Sequence, residues 1–313
     1  MAGTKEHSEG AGPFTTRVTW RPEAGVTAVW ESRLARKRAL LTVHAAGEPE
    51  PRARPADSVS VGRMRRLNAI AAGAFTVGGA LFALGAGLAQ FGPGDITSAW
   101  IYFTGGLCFN TGGYASLLQA VNTPDRDHRA GKLAARRWRW WSYEPDRIDW
   151  LSTFVLFAGT LVFGINLVGS LLHGLSVQQV NRLVWAPDMV GCILFLISGH
   201  LALVEVCHGR PRLRPHDLSW WIVAVNQLGS FLFMASAVTA FTRPSTGDLV
   251  SVAVANWGTL TGAACFSAGG VLQFYERPEP AGPATGAGAQ RDPSPSTSSA
   301  TPSRIRARPK RNS

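Results

Sequence analysis

Long apolar stretches alternate with short basic stretches over most of this chain of 313 residues. Lys and Arg are absent from five long segments, which together hold six apolar runs of roughly 20 residues, the length that a helix needs to cross a bilayer. The pattern predicts six transmembrane helices, near residues 68–92, 98–121, 150–173, 184–206, 219–242 and 250–274. The predicted fold class is therefore all-α, a polytopic membrane protein.

Charged residues between these runs predict the orientation of the chain in the membrane. Short loops rich in Lys and Arg stay in the cytoplasm. Three of the connecting regions are basic: the segment before the first run, residues 122–147 and residues 207–217. The opposite loops hold no Lys or Arg, then Arg182 alone, then Arg243 alone. We therefore predict a multi-pass protein of the cell membrane with both termini in the cytoplasm.

The net charge of +11 concerns partners as well as topology. In a membrane protein, basic flanks set the orientation and attract anionic lipid headgroups. We therefore expect the lipid bilayer and its anionic headgroups as partners and do not expect nucleic acid. A homo-oligomer is left open by the sequence.

Composition divides the chain into three regions. Residues 1–66 precede the apolar runs, with a weak β-hairpin signal over 16–30 and a Pro-rich linker over 45–58. Between these, ESRLARKRALL (31–41) reads either as a short amphipathic helix on the membrane surface or as part of a solvated leader. Residues 67–276 form the membrane domain. Residues 277–313 are rich in Pro, Gly, Ala, Ser and Thr, which predicts a disordered tail with a basic end.

An internal repeat runs through the membrane domain. WIYFTGGLCFNTGG (100–113) and WGTLTGAACFSAGG (257–270) share Trp, Thr, Gly, Cys, Phe and Gly-Gly at the same offsets. GGALF (78–82) and GSFLF (229–233) precede them, and GTLVF (159–163) precedes a fainter copy, WAPDMVGCILFLISGH (185–200), which keeps Trp, Gly and Cys only with one gapped residue. We predict three tandem helical hairpins, near residues 67–122, 148–208 and 217–276.

Small residues in this repeat are interpreted as helix-packing positions. At helical spacing two sets each share one face: Gly105, Cys108 and Gly112, and Gly262, Cys265 and Gly269. Lipid gives helices no hydrophobic reason to associate, so small residues that allow close backbone approach take that role. The alternative, a phosphate-binding glycine loop, is disfavoured because no Lys lies beside the apolar run.

These features together resemble the bacterial YrhK-like membrane domain. The resemblance rests on a glycine-rich first helix, a second helix that begins near a Trp and a basic flank, in three copies over residues 67–276. The middle copy departs most, with Pro187 and Asp188 after its Trp. The family has no assigned activity, so the resemblance implies a structural class and no mechanism.

Few polar residues interrupt the apolar runs, and such residues are functional candidates because they are costly in lipid. The candidates are His200, Glu205, Asn110 and Asn166. The asparagines are also explained by hydrogen bonds between helices, and Glu205 by hydration near the membrane interface. No nucleophile–base pair, metal-ligand spacing or cysteine pair appears, so we expect no catalytic site, cofactor or bound metal.

Three classes of function remain after this reading. The first is a structural or regulatory membrane protein that acts through helix packing and a basic cytoplasmic face. The second is a small transporter or channel, which requires a hydrated cavity at mid-membrane lined by Asn110, Asn166 and His200. The third, a membrane enzyme, requires His200, Glu205 and His208 to cluster in one cleft. We expect the first, and treat enzymatic activity as undecided but disfavoured.

Overall fold

The computed structural model describes residues 6–92, 96–210 and 212–276. It is mostly helical, at 61% helix, but its N-terminal region is a five-stranded sheet. The expectation of an all-α fold is therefore wrong for residues 1–66, and so is the alternative of a solvated leader. The predicted tail, residues 277–313, lies outside the described residues.

The N-terminal sheet is an antiparallel meander in which each strand pairs with the next along the chain. Its strands are β1 (His7–Ala11), β2 (Phe14–Glu23), β3 (Val26–Glu31), β4 (Leu40–Ala45) and β5 (Arg52–Pro55). Alternation along β2 buries Val18 and Trp20, which pack with Trp30, Leu41 and other apolar side chains. The hairpin predicted over 16–30 is confirmed as β2 and β3. The Pro-rich linker prediction missed β5.

A second, short hairpin completes this core from elsewhere in the chain. It consists of β6 (Asp125–Asp127) and β7 (Lys132–Ala134). Leu133 is buried in the core of the N-terminal sheet, and the indole of Trp20 donates a hydrogen bond to the carbonyl of His128 at 3.0 Å. The N-terminal sheet and the basic segment 122–147 therefore fold together.

The basic helix lies between β3 and β4 and is shorter than predicted. This helix, α1 (Ser32–Arg38), ends where Ala39 takes a left-handed backbone conformation with φ of 52°. Leu40 and Leu41 then begin β4, and Leu41 is buried in the core of the sheet. The helix prediction over 31–41 failed at its end because the sheet core takes up these two leucines.

Six long helices follow, arranged in a closed ring. They are α2 (Ser58–Phe91), α3 (Ile96–Val121), α4 (Ile148–Ser170), α6 (Ala186–Val206), α7 (Leu218–Thr239) and α8 (Val252–Gln273). A short helix, α5 (Val177–Val180), leads through a π-helical turn into α6. Each long helix packs against the next along the chain, and α8 packs against α2. The ring is thus built from three hairpins, α2–α3, α4–α6 and α7–α8.

Among the described residues, four helical segments are long and apolar enough to cross a membrane. They are Ser58–Phe91, Ile148–Ser170, Val177–Val206 and Leu218–Thr239. The remaining long helices, α3 and α8, have similar lengths but carry many Gly, Thr, Ser and Asn residues, which makes them less apolar. The structure therefore supports four membrane-length apolar helices, and six spans and their topology remain a prediction.

All three hairpins cross through the same glycine contact. A Cβ added at Gly78 would lie 3.0 Å from the carbonyl oxygen of Gly105, and one at Gly229 would lie 3.0 Å from that of Gly262. In the middle hairpin, a Cβ at Gly191 would lie 3.4 Å from the carbonyl oxygen of Gly159. No side chain larger than hydrogen fits at the first two crossings without movement, so these glycines set the distance between helices.

Six phenylalanines, one from each long helix, fill the centre of the ring. We call Phe82, Phe109, Phe163, Phe195, Phe233 and Phe266 the Phe core. Three of them come from the first helices of the hairpins and contact one another, with ring centroids 5.6–6.4 Å apart. The space that five of them enclose with Gly106 and Thr160 is about 10 Å³, at the lower limit for one water molecule. Because its walls are almost entirely apolar, this level of the ring is dry.

Candidate functional site: a basic helix buried at one end of the ring

Helix α1 packs into the end of the ring where α3 and α6 end and α2 and α7 begin. Arg33, Arg36 and Lys37 follow one another at positions i, i+3 and i+4, so they share a face of the helix. That face points into the ring, and Arg36 and Lys37 are only 3% and 4% exposed. The basic helix is therefore buried inside the protein and does not lie on the membrane surface as the sequence suggested.

Glu205 at the end of α6 binds this helix. Its carboxylate is 1% exposed and accepts a hydrogen bond from Arg36 Nη2 at 2.8 Å and another from the Ser32 hydroxyl. The expectation that Glu205 is a hydrated group near the interface is therefore wrong. Its pairing shows instead that the end of α6 is built to receive α1.

Glu276, directly after α8, binds the neighbouring arginine in the same way. Arg33 donates two hydrogen bonds to its carboxylate, each 2.7 Å long, and the Ser219 hydroxyl donates a third at 2.5 Å. Burial alone would raise the pKa of Glu276, but the charges of Arg33 and Lys37 and these hydrogen bonds outweigh it, so the pKa lies below its usual range. Glu276 is thus a buried, ionised group.

Lys37 is different because no carboxylate contacts it. Its ammonium donates hydrogen bonds to Gln119 Oε1 at 2.8 Å and to Asn68 Oδ1 at 3.3 Å. Asn68 is itself held by α8, since its amide donates to the carbonyl of Gln273 at 2.9 Å. Burial and the nearby charge of Arg36 place the pKa of Lys37 well below its usual value. Lys37 is therefore a buried amine among neutral partners.

The charges of this cluster cancel only when Lys37 is neutral. Three basic side chains from α1 face two carboxylates, those of Glu205 and Glu276, so protonation of Lys37 leaves one positive charge without an opposite charge. Removing an ion from water costs several kcal/mol unless charge and hydrogen bonds replace the solvent. The protonated form of Lys37 is consequently costly in this cluster.

A cavity of about 90 Å³ separates α1 from the Phe core. The three basic residues line one side, and Phe195 and Phe266 line the other. The rest of its wall is mixed, with apolar side chains such as Leu156, Ile222 and Val223 beside the hydroxyl and amide groups of Ser116, Ser152, Thr153, Ser198, Asn226, Ser230 and Gln273. A cavity with a basic side and a largely apolar side therefore lies between the charged end of the ring and its dry centre, and we refer to it below as the inner cavity.

A second pocket, of about 170 Å³, lies on the outer side of α1. Arg33 and Lys37 line both spaces. Among the described lining residues, Glu205 and Glu276 belong to the outer pocket alone. His208 also lines the outer pocket, and its Nδ1 lies 3.0 Å from the Thr16 hydroxyl of β2. The basic helix thus forms a wall between an inner and an outer space, with both acids on the outer side.

The structure does not bring the predicted transporter residues together. His200 is exposed on the outer surface of α6, and Asn110 lines a lateral groove between α3 and α4. Asn166 is buried on α4. Neither His200, Asn110 nor Asn166 lines the inner cavity, and the centre of the ring is dry. The route expected near His200 is therefore not formed by these side chains.

The predicted helix-packing residues lie close to neighbouring helices. Gly105 and Gly262 form the crossings already described, and a Cβ at Gly112 would lie 2.9 Å from the ring of Phe75. A Cβ at Gly269 would lie 2.2 Å from the Asn226 side chain. A Cβ at Gly78 would lie 3.1 Å from the Cβ of Cys108, and one at Gly229 would lie 3.1 Å from that of Cys265; both cysteines are free thiols.

The middle hairpin corrects one detail of the repeat alignment. Where Cys108 and Cys265 contact the facing glycine of their hairpins, Leu194 contacts Gly159. Cys192 therefore does not correspond to the other two cysteines, although the sequence aligned it with them. Gly-x-x-x-Phe, from Gly191 to Phe195, is the element of the second helix that all three hairpins share.

The residues of the basic cluster escaped the sequence analysis for an identifiable reason. Arg33, Arg36 and Lys37 lie in a run that reads as an ordinary basic flank, and Glu276 lies at the border of the tail. The one available signal was the spacing of the three cations on one helical face. That face lies close in sequence to a membrane domain with few polar residues at the ends of its helices. Burial of that face depends on the tertiary structure.

Comparisons with known proteins leave the chain without a relative: no family model, no curated protein and no solved structure matches it. The resemblance to the YrhK-like domain stays a prediction. Among the described residues, no group of three or more His, Cys, Asp or Glu side chains could hold a metal ion. His200 lies outside the pocket shared by Glu205 and His208, so the cluster expected of an enzyme is not formed.

Proposed function

We propose that this chain is a structural or regulatory membrane protein whose helical ring holds a folded sheet domain at the cytoplasmic surface. The observation that carries the proposal is the burial of α1 in the ring, fixed by the pairs Arg33–Glu276 and Arg36–Glu205. A helix from the sheet domain that is ion-paired inside the ring couples the two parts mechanically. A conformational change in one part is then transmitted to the other.

In this proposal all six long helices cross the membrane. Helices α3 and α8 contain 26 and 22 residues, enough to span a bilayer, and the ring closes only through them. Threonine hydroxyls on both helices, such as Thr104 and Thr261, are satisfied by the carbonyl four residues earlier, which lowers their cost in lipid. Their lower apolarity is thereby reconciled with a transmembrane position.

The orientation follows from the basic loops. The α1 end of the ring carries the basic segment 122–147 and Arg210, Arg212 and Arg214, whereas the opposite end carries Arg182 and Arg243. By the positive-inside rule the sheet domain and both termini face the cytoplasm, next to anionic headgroups. The shared glycine crossing of the three hairpins supports their origin as tandem copies of one two-helix unit.

Labelling of introduced cysteines tests this arrangement. In a background without native cysteines, Thr246→Cys places a thiol on the exposed α7–α8 loop, and Glu50→Cys places one on the sheet domain. A membrane-impermeant maleimide added to intact cells should label only the first, and both should react after the membrane is permeabilised. Labelling of both in intact cells would contradict the proposed topology.

A flux assay separates the structural role from transport. Because the Phe core leaves no wetted path through the ring, liposomes that contain the purified chain should leak chloride, phosphate and potassium no faster than empty liposomes. Phe233→Ala, which removes one side chain from the Phe core, is the comparison. Faster leakage through this variant than through the wild type would show that the assay detects an opened path. Protein-dependent flux through the wild-type chain would favour a transporter and overturn the structural role.

A further inference from the structure

The chemistry of the inner cavity is that of an anion-binding site. Three basic side chains line it, and among its described lining residues there is no Asp or Glu. The hydroxyls of Ser152, Thr153, Ser198 and Ser230 already donate to backbone carbonyls, so the donors that remain for a ligand come mainly from the basic side chains. Cationic donors with no carboxylate opposite them favour an anion over a cation or an apolar molecule.

One donor of this wall has no partner in the protein. Arg36 is 3% exposed, and its Nη2 is occupied by Glu205, but its Nε–H makes no hydrogen bond to any described residue. A buried charged donor that is left unsatisfied costs free energy, so a partner from outside the chain is expected. Since Arg36 lines the cavity, the cavity is where that partner would lie.

The charge count supports the same conclusion. Both acids of the cluster lie toward the outer pocket, and Lys37 has only the amide oxygens of Asn68 and Gln119 as partners. Protonation of Lys37 thus leaves one positive charge beside the cavity. An anion there would compensate it and would also favour the protonated form of Lys37.

Size restricts the ligand. About 90 Å³ of space accommodates an ion on the scale of chloride or phosphate together with a few waters, and excludes a nucleotide or a lipid headgroup with its glycerol. Phe195 and Phe266 close the cavity toward the centre of the ring.

We propose that the inner cavity between α1 and the Phe core binds a small inorganic anion, held by Arg36, Arg33 and Lys37. The anion completes the charge balance of the buried cluster and so ties α1 to the ring. This inference rests on the cavity itself and does not depend on the proposed function.

Thermal unfolding of the purified full-length chain in detergent tests this site. At constant ionic strength, sodium gluconate, which is too large for the cavity, is replaced stepwise by chloride in one series and by inorganic phosphate in another. The Tm of the wild type should rise with the logarithm of the concentration of at least one anion once its Kd is exceeded. A rise with phosphate alone indicates an oxyanion site, and a rise with chloride indicates a halide site.

Lys37→Met is the decisive variant because it removes a charge without leaving a buried acid unpaired. Asn68 and Gln119 can still bond to each other and to α2 and α8. We expect this variant to fold, with an unchanged helical circular dichroism signal, and to bind the anion at least tenfold more weakly. An equal rise in Tm for Lys37→Met and the wild type would show a general salt effect and overturn the proposal.

A second variant covers the case in which Lys37→Met does not fold. Ala202→Leu adds bulk at a lining residue of the cavity and leaves every ion pair in place. Its control is Ala80→Leu, which makes the same change on an exposed face of α2. The control should keep the anion-dependent rise in Tm and Ala202→Leu should lose it. No rise in the wild type with either anion would show that the cavity holds water only.

Discussion

The Phe core and the basic cluster lie next to each other in the same ring, yet they are built in opposite ways. The Phe core uses one phenylalanine from each long helix, is dry, and is packed by ring contacts. The basic cluster is charged, uses unrelated side chains from α1 and from the ends of the ring, and borders the inner cavity. The first is the same in every hairpin, and the second occurs once.

This difference indicates a division of roles. A packing layer made from identical contacts can be built by any pair of these hairpins. It therefore specifies a ring of helices but does not distinguish one hairpin from another. The single basic helix breaks that equivalence, because Gln119, Glu205 and Glu276 occupy comparable ends of the three hairpins but make different bonds to α1. We infer that the Phe core gives stability and the basic cluster gives the ring its specific partner.

The largest expected effect comes from an unpaired buried charge in the basic cluster. Glu276→Leu leaves Arg33 buried without its bidentate partner and should lower the free energy of unfolding by about 3–5 kcal/mol. The measurement is a denaturation titration in mixed micelles. The control is Glu48→Ala, which removes the exposed pair to Arg52 and should cost less than about 1 kcal/mol. Equal effects of the two variants would show that the cluster is not buried.

The Phe core should respond to loss of volume instead of loss of charge. Phe233 stacks on Phe266 with centroids 5.3 Å apart and contacts Phe82 and Phe163. Phe233→Ala should therefore lower stability by about 3 kcal/mol through lost contacts and a new cavity. Phe231→Ala on the exposed face of the same helix should change it by less than about 1 kcal/mol. Similar losses at both positions would argue against a central Phe core.

The glycine crossings should be less sensitive than either layer. A Cβ at Gly229 meets the backbone of Gly262 at 3.0 Å, which cannot move independently of its helix. Gly229→Ala should accordingly cost about 1–3 kcal/mol. Gly62→Ala meets nothing within 4 Å and should stabilise α2 by about 0.5–1 kcal/mol. Paired melting curves of the two variants give the comparison, and a neutral Gly229→Ala would contradict the crossing.

The smallest expected effect concerns Lys37 and is a change in pH dependence. Its environment comprises Arg33, Arg36, Glu205 and Glu276, along with the amides of Asn68 and Gln119. Because burial and Arg36 lower its pKa in the folded state, the unfolded chain binds more protons between that pKa and 10.5. Wild-type stability should therefore rise with pH across this window.

Lys37→Met should remove that rise. In gluconate buffer at pH 7 we expect the variant to be more stable than the wild type by about 1–2 kcal/mol, because burial costs Lys37 either its proton or its hydration, and Met carries neither cost. The advantage should shrink as the pH approaches 10.5. Unfolding curves at several pH values provide the test, and parallel pH profiles for the two proteins would show that Lys37 is not a buried amine.

Sequence patterns predicted the repeated layer far better than the unique one. Gly-x-x-[Leu/Val]-Phe and the second-helix glycines pointed to the crossings at Gly78 and Gly229, because helical periodicity fixes which small residues share a face. The same reasoning misaligned Cys192, since the register of the middle hairpin is set by Phe195 packing in the core. Local spacing cannot report that choice.

The N-terminal sheet and the basic cluster were harder to predict for a common reason. Only β2 and β3 alternate clearly, whereas β1 is polar and β5 lies within a Pro-rich segment. In the cluster, Arg33 and Arg36 have the composition of a solvated flank, and they pair with acids more than 160 residues away. Long-range pairing of this kind leaves no periodic trace in a single sequence.

The central claim is that Arg36 and Glu205 form one buried unit that binds α1 to the ring. A double-mutant cycle with Arg36→Met and Glu205→Leu measures their coupling directly. We predict that each single variant is strongly destabilised and that the double variant recovers at least about 2 kcal/mol of the summed loss, because neither charge is then left unpaired. Effects that add to within about 0.5 kcal/mol would contradict the account.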